Sequence, residues 1–195
     1  MNPVTQPFRF TSGAFGLALV LGGAIGCGGA APSTAKGRVT PEYDEATGKL
    51  SRLAYDSNND GRDDSWAVMD GARLIKLEAD ENDDGQIDRW EYYPASATVG
   101  RREAPERIER ATRFDGRVSR REFFEHGAMT RVEEDVDGNG AVDKWETYAS
   151  GSLVTLSLDT SGRGRPDRRL VYRPDGSLER IEADPTGSGR FEVVR

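Results

Sequence analysis

Residues 80–91 read Asp-Glu-Asn-Asp-Asp-Gly-Gln-Ile-Asp-Arg-Trp-Glu, and their pattern organises the rest of the chain. Side chains that carry oxygen stand at positions 1, 3, 5 and 9 of this stretch, and a glycine stands at position 6. Glycine adopts positive φ without steric strain, so it allows the chain to wrap tightly at that point. The pattern predicts a tight loop whose alternate side chains point their oxygen atoms toward a common centre.

The same pattern recurs, which indicates a repeat protein. Loops of this kind begin at Asp56, Asp80, Asp135, Asp159 and, in degenerate form, Asp184. The first two loops are 24 residues apart, and so are the third and fourth. The long interval between the second and third loops contains one more unit, in which Asp115-Gly116 copies the loop glycine. Within it, residues 94–105 interrupt a hairpin as an insertion.

Each unit contains two short β-prone runs joined by a turn with glycine, as in Trp90-Glu91-Tyr92-Tyr93 and Leu153-Val154-Thr155-Leu156. Such runs form hairpins, and they are too short for a typical helix. The chain is therefore predicted to be all-β, an antiparallel meander of about 24-residue hairpin repeats with the acidic loops on one edge. Alternation places Trp90 and Tyr92 on one face and Tyr93 on the other. The second runs carry apolar residues three apart, such as Leu178 and Ile181, which fits either a β-bulge or a sheet covered on both faces.

The acidic loops resemble the calcium loops of EF-hand proteins. Ca²⁺ takes six to eight oxygen ligands, and alternate residues of such a loop supply them. The resemblance covers the loops alone, as in other calcium-binding repeats that lack the helix pair, and it implies Ca²⁺ as the bound ion. The acid at position 9 is preferred to the glutamate at position 12, because a strand would carry position 12 away. The implied metal ligands are Asp56, Asn58, Asp60 and Asp64; Asp80, Asn82, Asp84 and Asp88; and Asp135, Asp137, Asn139 and Asp143.

Two loops depart from the ligand pattern. Arg163 replaces the central ligand of the fourth loop and is expected to pair with Asp159 or Asp167 in place of an ion. Ser188 takes the same position in the fifth loop. Because Asp, Asn and Gly also build ordinary turns, solvated loops without an ion are the alternative interpretation.

The first residues resemble a bacterial lipoprotein signal. The apolar run from Phe10 to Ile25 has 16 residues, whereas a membrane-spanning helix needs roughly 20. The sequence Ala24-Ile25-Gly26-Cys27 resembles a lipobox, with the single cysteine of the chain at the lipidated position. We expect a lipoprotein signal peptide at 1–26, a flexible tether at 27–38 and the repeat domain at 39–195. The resemblance implies acyl chains on Cys27 that anchor the protein in an outer membrane, facing the periplasm or the cell surface.

The composition of the chain argues against several classes of function. A net charge of -7 and a pI near 4.9 argue against nucleic acid as the partner. With one His and one Cys, no nucleophile has a catalytic partner, and carboxylates that repeat in every unit point to structure rather than to one active site.

We expect a non-catalytic, calcium-binding envelope module with a structural or interaction role. The alternative is a metal-free scaffold that resembles MORN-like hairpin repeats and binds a protein or glycan, where Trp66, Trp90 and Trp145 would form an exposed ladder rather than pack between units. A carboxylate enzyme is the third hypothesis.

Overall fold

The computed structural model describes residues 38–98, 100–101 and 103–194. The expected signal peptide, almost all of the tether and Cys27 lie outside the described residues. The described chain forms one antiparallel sheet in which thirteen strands follow one another in sequence order. The prediction of an all-β meander of hairpin repeats is confirmed. The strands are β1 (Arg38–Tyr43), β2 (Leu50–Asp56), β3 (Ser65–Asp70), β4 (Arg73–Ala79), β5 (Arg89–Tyr92), β6 (Arg107–Arg110), β7 (Arg120–Glu125), β8 (Ala128–Glu134), β9 (Lys144–Ala149), β10 (Ser152–Leu158), β11 (Arg168–Tyr172), β12 (Leu178–Ala183) and β13 (Glu192–Val193).

The sheet is a single layer. Each strand contacts the strands next to it in sequence, and within the described residues no strand packs across the sheet face. Each repeat therefore depends on its neighbours for stability, as in other repeat proteins. The described part of the chain contains no helix that could span a membrane.

One face of the sheet, here called the ion-pair face, alternates acidic and apolar residues from β5 to β9 and carries apolar residues toward both ends. Its central row contains Ala67, Leu77, Glu91, Ile108, Glu122, Val132, Glu146, Leu156, Leu170 and Ile181. Val132 is fully buried between two of the glutamates. Arg120 contacts Glu122 at 2.8 Å and Glu134 at 2.9 Å. Charged side chains thus cover the apolar row where a second layer would lie in a sandwich.

The opposite face, here called the aromatic face, carries the aromatic residues predicted to share a side. Trp66, Trp90 and Trp145 stand in one cross-strand row, and all three are half-buried. The guanidinium of Arg107 lies 4.1 Å from the centre of the Tyr92 ring. Arginines also lie over Trp66 and over Phe123. Of the three tryptophans, Trp66 thus has an arginine over its ring, as Tyr92 and Phe123 on the same face do.

The apolar residues three apart are explained by β-bulges. In each hairpin that closes with a short turn, the register shifts by one residue near the turn. The extra residues are Ser51, Ile75, Thr130, Val154 and Glu179. A bulge places two residues opposite one, so Leu178 and Ile181 can lie on the same face although three positions separate them. The bulge is therefore the correct alternative.

The insertion after β5 packs against the turn edge of the sheet, opposite the acidic loops. Ala97 is 2% exposed and accepts a hydrogen bond from the backbone N–H of Leu74 at 3.1 Å. Thr98 forms an isolated antiparallel bridge with Arg73. The insertion thus adds buried contacts to the sheet at the turn end of β4.

Candidate metal loops

Six loops line one edge of the sheet. We name them loop one (56–64), loop two (80–88), the blank loop (111–119), loop three (135–143), loop four (159–167) and loop five (184–192). The N–H of the first residue in a loop donates to the carbonyl of the ninth residue in the loop before it. Asp80 donates to Asp64 at 2.9 Å, and Asp135 donates to Ser119 of the blank loop at 2.8 Å. Neighbouring loops are therefore joined through their main chains.

The loops share one backbone path. The fourth residue has positive φ in every loop, from 55° at Phe114 to 82° at Gly138, and a glycine with positive φ is sixth. The carboxylate at position 1 accepts from the N–H of that glycine, at 2.7 Å between Asp80 and Gly85 and at 2.9 Å between Asp135 and Gly140. Side chains at positions 3 and 5 accept main-chain N–H groups two residues later, as Asp84 does from Gln86 at 2.8 Å. The oxygen side chains thus hold the loop in shape through hydrogen bonds to its own main chain.

In the blank loop and in loops one to four, the side chain at position 9 closes the loop by accepting a hydrogen bond from the N–H of position 2. Asp64 accepts from Ser57 at 2.8 Å, and Asp88 accepts from Glu81 at 3.1 Å. In the blank loop Ser119 takes this role with its hydroxyl, 3.0 Å from the nitrogen of Thr112. The position-9 side chain is therefore a structural cap as well as a candidate ligand.

Loop three brings three of its four predicted ligands together. Asp135, Asp137 and Asp143 each offer one carboxylate oxygen, and these oxygens lie within 4.8 Å of one another. Within the described residues, no other group of three His, Cys, Asp or Glu side chains meets this criterion. Asn139 lies beside the trio and donates from Nδ2 to Asp137 at 2.9 Å. Carboxylate oxygens gathered in this way suit a hard divalent cation.

Loops one and two do not gather their predicted acids in the same way. In loop two, Asn82 donates to Asp84 at 3.0 Å. In loop one, Asn58 donates outward to Asp83 of loop two, also at 3.0 Å. The acids at positions 1 of these loops, Asp56 and Asp80, are buried and bonded to main-chain N–H groups. For an ion to bind, the carboxylates at positions 1, 5 and 9 of these loops would have to move closer together.

Asp88 differs from the other position-9 acids. It is 1% exposed, and its Oδ1 atom has no hydrogen-bond partner. Burial raises its pKa above the ordinary value, and the charges of Asp84 and Asp80 raise the pKa further against the one main-chain hydrogen bond from Glu81. For Asp135 burial acts in the same direction, but the N–H groups of Gly140 and Gly138 outweigh it and lower the pKa. Loop two thus contains an acid that the protein leaves incompletely paired.

The glutamates at position 12 belong to the ion-pair face. Glu146 contacts Lys144 at 2.9 Å and accepts from the hydroxyl of Tyr148 at 2.8 Å. Glu91 pairs with Arg89 and with Tyr93. Both glutamates are engaged within strands, which leaves position 9 as the last acid that each loop can offer.

The expected pairing of Arg163 within loop four is wrong. Both terminal nitrogens of Arg163 donate to the carbonyl of Pro185 in loop five, at 3.2 Å. Asp159 and Asp167 are satisfied by main-chain N–H groups and hydroxyls of their own loop, including Gly164 at 2.6 Å. An arginine in a loop that lacks the full ligand pattern therefore reaches into the next loop rather than replacing an ion in its own.

Sequence reasoning missed the corresponding role of Arg113. This residue of the blank loop donates to the carbonyls of Asp135 and Val136 in loop three, at 3.1 and 2.7 Å. A Cβ atom at Gly138 would lie 2.8 Å from the Arg113 guanidinium carbon. The glycine at position 4 of loop three was the available signal, because loops one and two have Asn59 and Asp83 there.

Comparison with protein-family models and with curated proteins gives no match for this chain. The functional assignment therefore depends on the geometry of the loops and on the sequence patterns that they share.

Proposed function

We propose that this chain is a non-catalytic calcium-binding module, an array of β-hairpin repeats whose acidic loops hold divalent cations for a structural or interaction role at the cell envelope. The observation that supports it is the carboxylate trio of loop three, whose oxygens lie within 4.8 Å of one another. Three like charges at that spacing repel unless a cation or hydrogen bonds offset them. Ca²⁺ is preferred to Mg²⁺ because the donors are numerous carboxylate and amide oxygens on a loop, whereas Mg²⁺ keeps several waters.

Membrane attachment through lipid on Cys27 is part of the proposal. It is supported by the sequence alone, since the apolar run leads into Ala24-Ile25-Gly26-Cys27, which resembles a lipobox and contains the one cysteine of the chain. Two or three acyl chains would hold the protein firmly at a membrane surface. Incorporation of labelled palmitate in a bacterial host tests this directly, with Cys27→Ser as the control that should incorporate none. Equal labelling of the variant would refute lipid attachment.

Calcium binding is tested by thermal unfolding of the full chain carrying Cys27→Ser, with calcium and with a chelator. A cation that binds the folded state raises the melting temperature, and saturation at 100 times Kd contributes about 2.7 kcal/mol. Asp137→Asn should reduce this shift, because it removes one of the three converging charges. Asp175→Asn is the matched control, since Asp175 lies in a turn at the opposite edge and bonds Ser177. No shift in the parent protein at millimolar calcium would refute the proposal.

A metal-free scaffold for a protein or glycan is the second candidate. It is supported by the blank loop, which keeps the shared backbone path although Ala111 and Ser119 replace the acids at positions 1 and 9. The repeat thus tolerates loops without a ligand set. A chain that melts identically with calcium and with chelator would favour this candidate.

A further inference from the structure

The position-9 carboxylates differ in the hydrogen bonds that they accept from the residue at position 2. In loop one the hydroxyl of Ser57 donates to Asp64 at 2.6 Å, and Ser65 adds a second hydroxyl at 2.8 Å. In loop four the hydroxyl of Thr160 donates to Asp167 at 2.8 Å. A serine or threonine at position 2 therefore supplies the carboxylate with a hydrogen bond beyond the main-chain N–H.

Loop two has Glu81 at position 2, which has no hydroxyl to donate. Its side chain turns instead toward Arg110, at 3.3 Å, and Arg89, at 3.5 Å. Asp88 is left with the main-chain N–H on one oxygen and with no partner on the other, although it is 1% exposed. A buried acceptor without a donor costs free energy that a bound cation would recover.

Loop three is the intermediate case. Val136 at position 2 lacks a hydroxyl, but both oxygens of Asp143 accept main-chain N–H groups, from Val136 at 3.1 and 3.2 Å and from Asp137 at 3.2 Å. Among the described loops, loop two is thus the one that combines the full ligand pattern with a buried, unpaired carboxylate oxygen.

We propose that loop two binds the first divalent cation through Asp80, Asn82, Asp84 and Asp88, and that a hydroxyl at position 2 disfavours an ion in its own loop. A hydroxyl at that position satisfies the acid and disfavours binding, as in loops one and four. Without that hydroxyl, the acid is left for the metal where the main chain does not satisfy both of its oxygens, as at Asp88. This inference rests on the proposed function and specifies the order in which its loops fill.

The order can be measured with Tb³⁺, which substitutes for Ca²⁺ and emits when a nearby tryptophan is excited. Loops one, two and three each have a tryptophan at position 11, namely Trp66, Trp90 and Trp145. With one equivalent of Tb³⁺ on the full chain carrying Cys27→Ser, Trp90→Phe should remove most of the sensitised emission. Trp66→Phe and Trp145→Phe are the matched controls and should retain it. Emission that survives Trp90→Phe and disappears in a control would overturn the assignment.

The role of position 2 is tested by comparing Glu81→Ser with Glu81→Ala. Both variants lose the contacts with Arg89 and Arg110, so the difference between them isolates the new hydroxyl. Glu81→Ser should weaken Ca²⁺ binding at loop two by about tenfold relative to Glu81→Ala, the effect of one hydrogen bond. Equal affinities would overturn the rule.

Asp88→Ser separates this inference from the proposed function. The natural Ser119 of the blank loop shows that serine can cap this position, so the variant is expected to fold. Without cations it should be at least as stable as the parent, and it should bind one Ca²⁺ fewer. An unchanged number of bound ions would overturn the loop-two assignment alone. A parent protein that binds no ion would refute the proposed function itself.

Discussion

The guanidinium of Arg113 donates to the carbonyl oxygen of Val136 at 2.7 Å, although the two residues belong to different loops. The same nitrogen donates to the carbonyl of Asp135 at 3.1 Å. Arg163 makes an equivalent contact from loop four to Pro185 in loop five. Loops that have lost part of the ligand pattern thus contribute to the structure by holding the main chain of the loop that follows.

We predict that the Arg113 contact makes Gly138 more costly to replace than the corresponding glycine of loop four. Gly138→Ala would introduce both the strain of φ 82° and a Cβ atom 2.8 Å from the guanidinium carbon. The matched control is Gly162→Ala, because Gly162 occupies position 4 of loop four with φ 67° and open space around it. Gly162→Ala should cost about 1 kcal/mol of unfolding free energy, and Gly138→Ala should cost more.

A double-mutant cycle checks the cause of that excess. In an Arg113→Ala background, Gly138→Ala should cost no more than Gly162→Ala, as measured by urea denaturation monitored through tryptophan fluorescence. If the excess cost persists in this background, the arginine contact is not its source.

The repeat, the strands and the loop edge follow from the sequence because each depends on local signals. Glycine at position 6 requires positive φ, and the β-prone runs on either side of it fix the hairpins. The bulges could be predicted only as one of two alternatives, since the three-residue spacing of Leu178 and Ile181 also fits a sheet covered on both faces. The structure decides between them because Glu179 is the extra residue in the pairing of β11 with β12.

The contacts between loops could not be predicted from the sequence. Arg163 could equally have bonded Asp159 at position 1 of its own loop, and the choice of Pro185 depends on how closely adjacent loops approach. The unpaired oxygen of Asp88 is also a tertiary property, because it depends on burial and on Glu81 turning toward Arg110. Local patterns specify the loop, whereas the neighbouring repeat decides what its side chains bind.

Arg120 is predicted to be the most important charged residue of the ion-pair face. It bonds Glu122 and Glu134, and it lies 4.0 Å from Glu146. Arg120→Met would keep an unbranched stem but remove the cation that Glu122, Glu134 and Glu146 share, although Lys144 would still contact Glu134 and Glu146. We expect a loss of about 2 kcal/mol of unfolding free energy, below the 3–5 kcal/mol of a fully buried pair.

The control for Arg120 is Lys49→Met. Lys49 pairs with Asp70 at 3.0 Å, but both side chains are largely exposed. Exposed pairs contribute about 0–1 kcal/mol, so this variant should unfold at nearly the parental denaturant concentration. Comparable losses for the two variants would show that the network adds nothing beyond separate pairs.

The insertion at residues 94–105 is predicted to contribute to stability through Ala97. This residue is 2% exposed, so Ala97→Asp would bury a charge without an evident partner. The expected loss is at least about 2 kcal/mol. Ala95→Asp, two residues earlier at an exposed position, should change the unfolding free energy by less than about 0.5 kcal/mol. Chemical denaturation of both variants checks this, and a neutral Ala97→Asp would mean that the insertion does not pack on the sheet in solution.

The acids at position 1 predict how stability depends on pH in the absence of cations. Burial acts to raise the pKa of Asp159, but the N–H groups of Arg163 and Gly164 outweigh it and lower the pKa to about 2. The pKa values of Asp135 and Asp184 are lowered in the same way by main-chain N–H groups that outweigh burial. Because these folded-state pKa values lie below the ordinary value of 3.8, the unfolded chain binds more protons as the pH falls. The stability that these acids contribute is present above about pH 4 and is lost as the pH falls toward about 2.

Asp88 acts in the opposite direction, since burial raises its pKa and protonation removes its unpaired charge. Asp135, Asp159 and Asp184, whose pKa values are lowered, outnumber Asp88. The free energy of unfolding in chelator should therefore fall between about pH 4 and pH 2. Asp159→Asn should make this fall shallower, because the amide keeps an acceptor for Gly164 but does not titrate. Urea unfolding at a series of pH values measures both slopes. Parallel curves for the parent and the variant would show that Asp159 is not one of the groups whose protonation unfolds the protein.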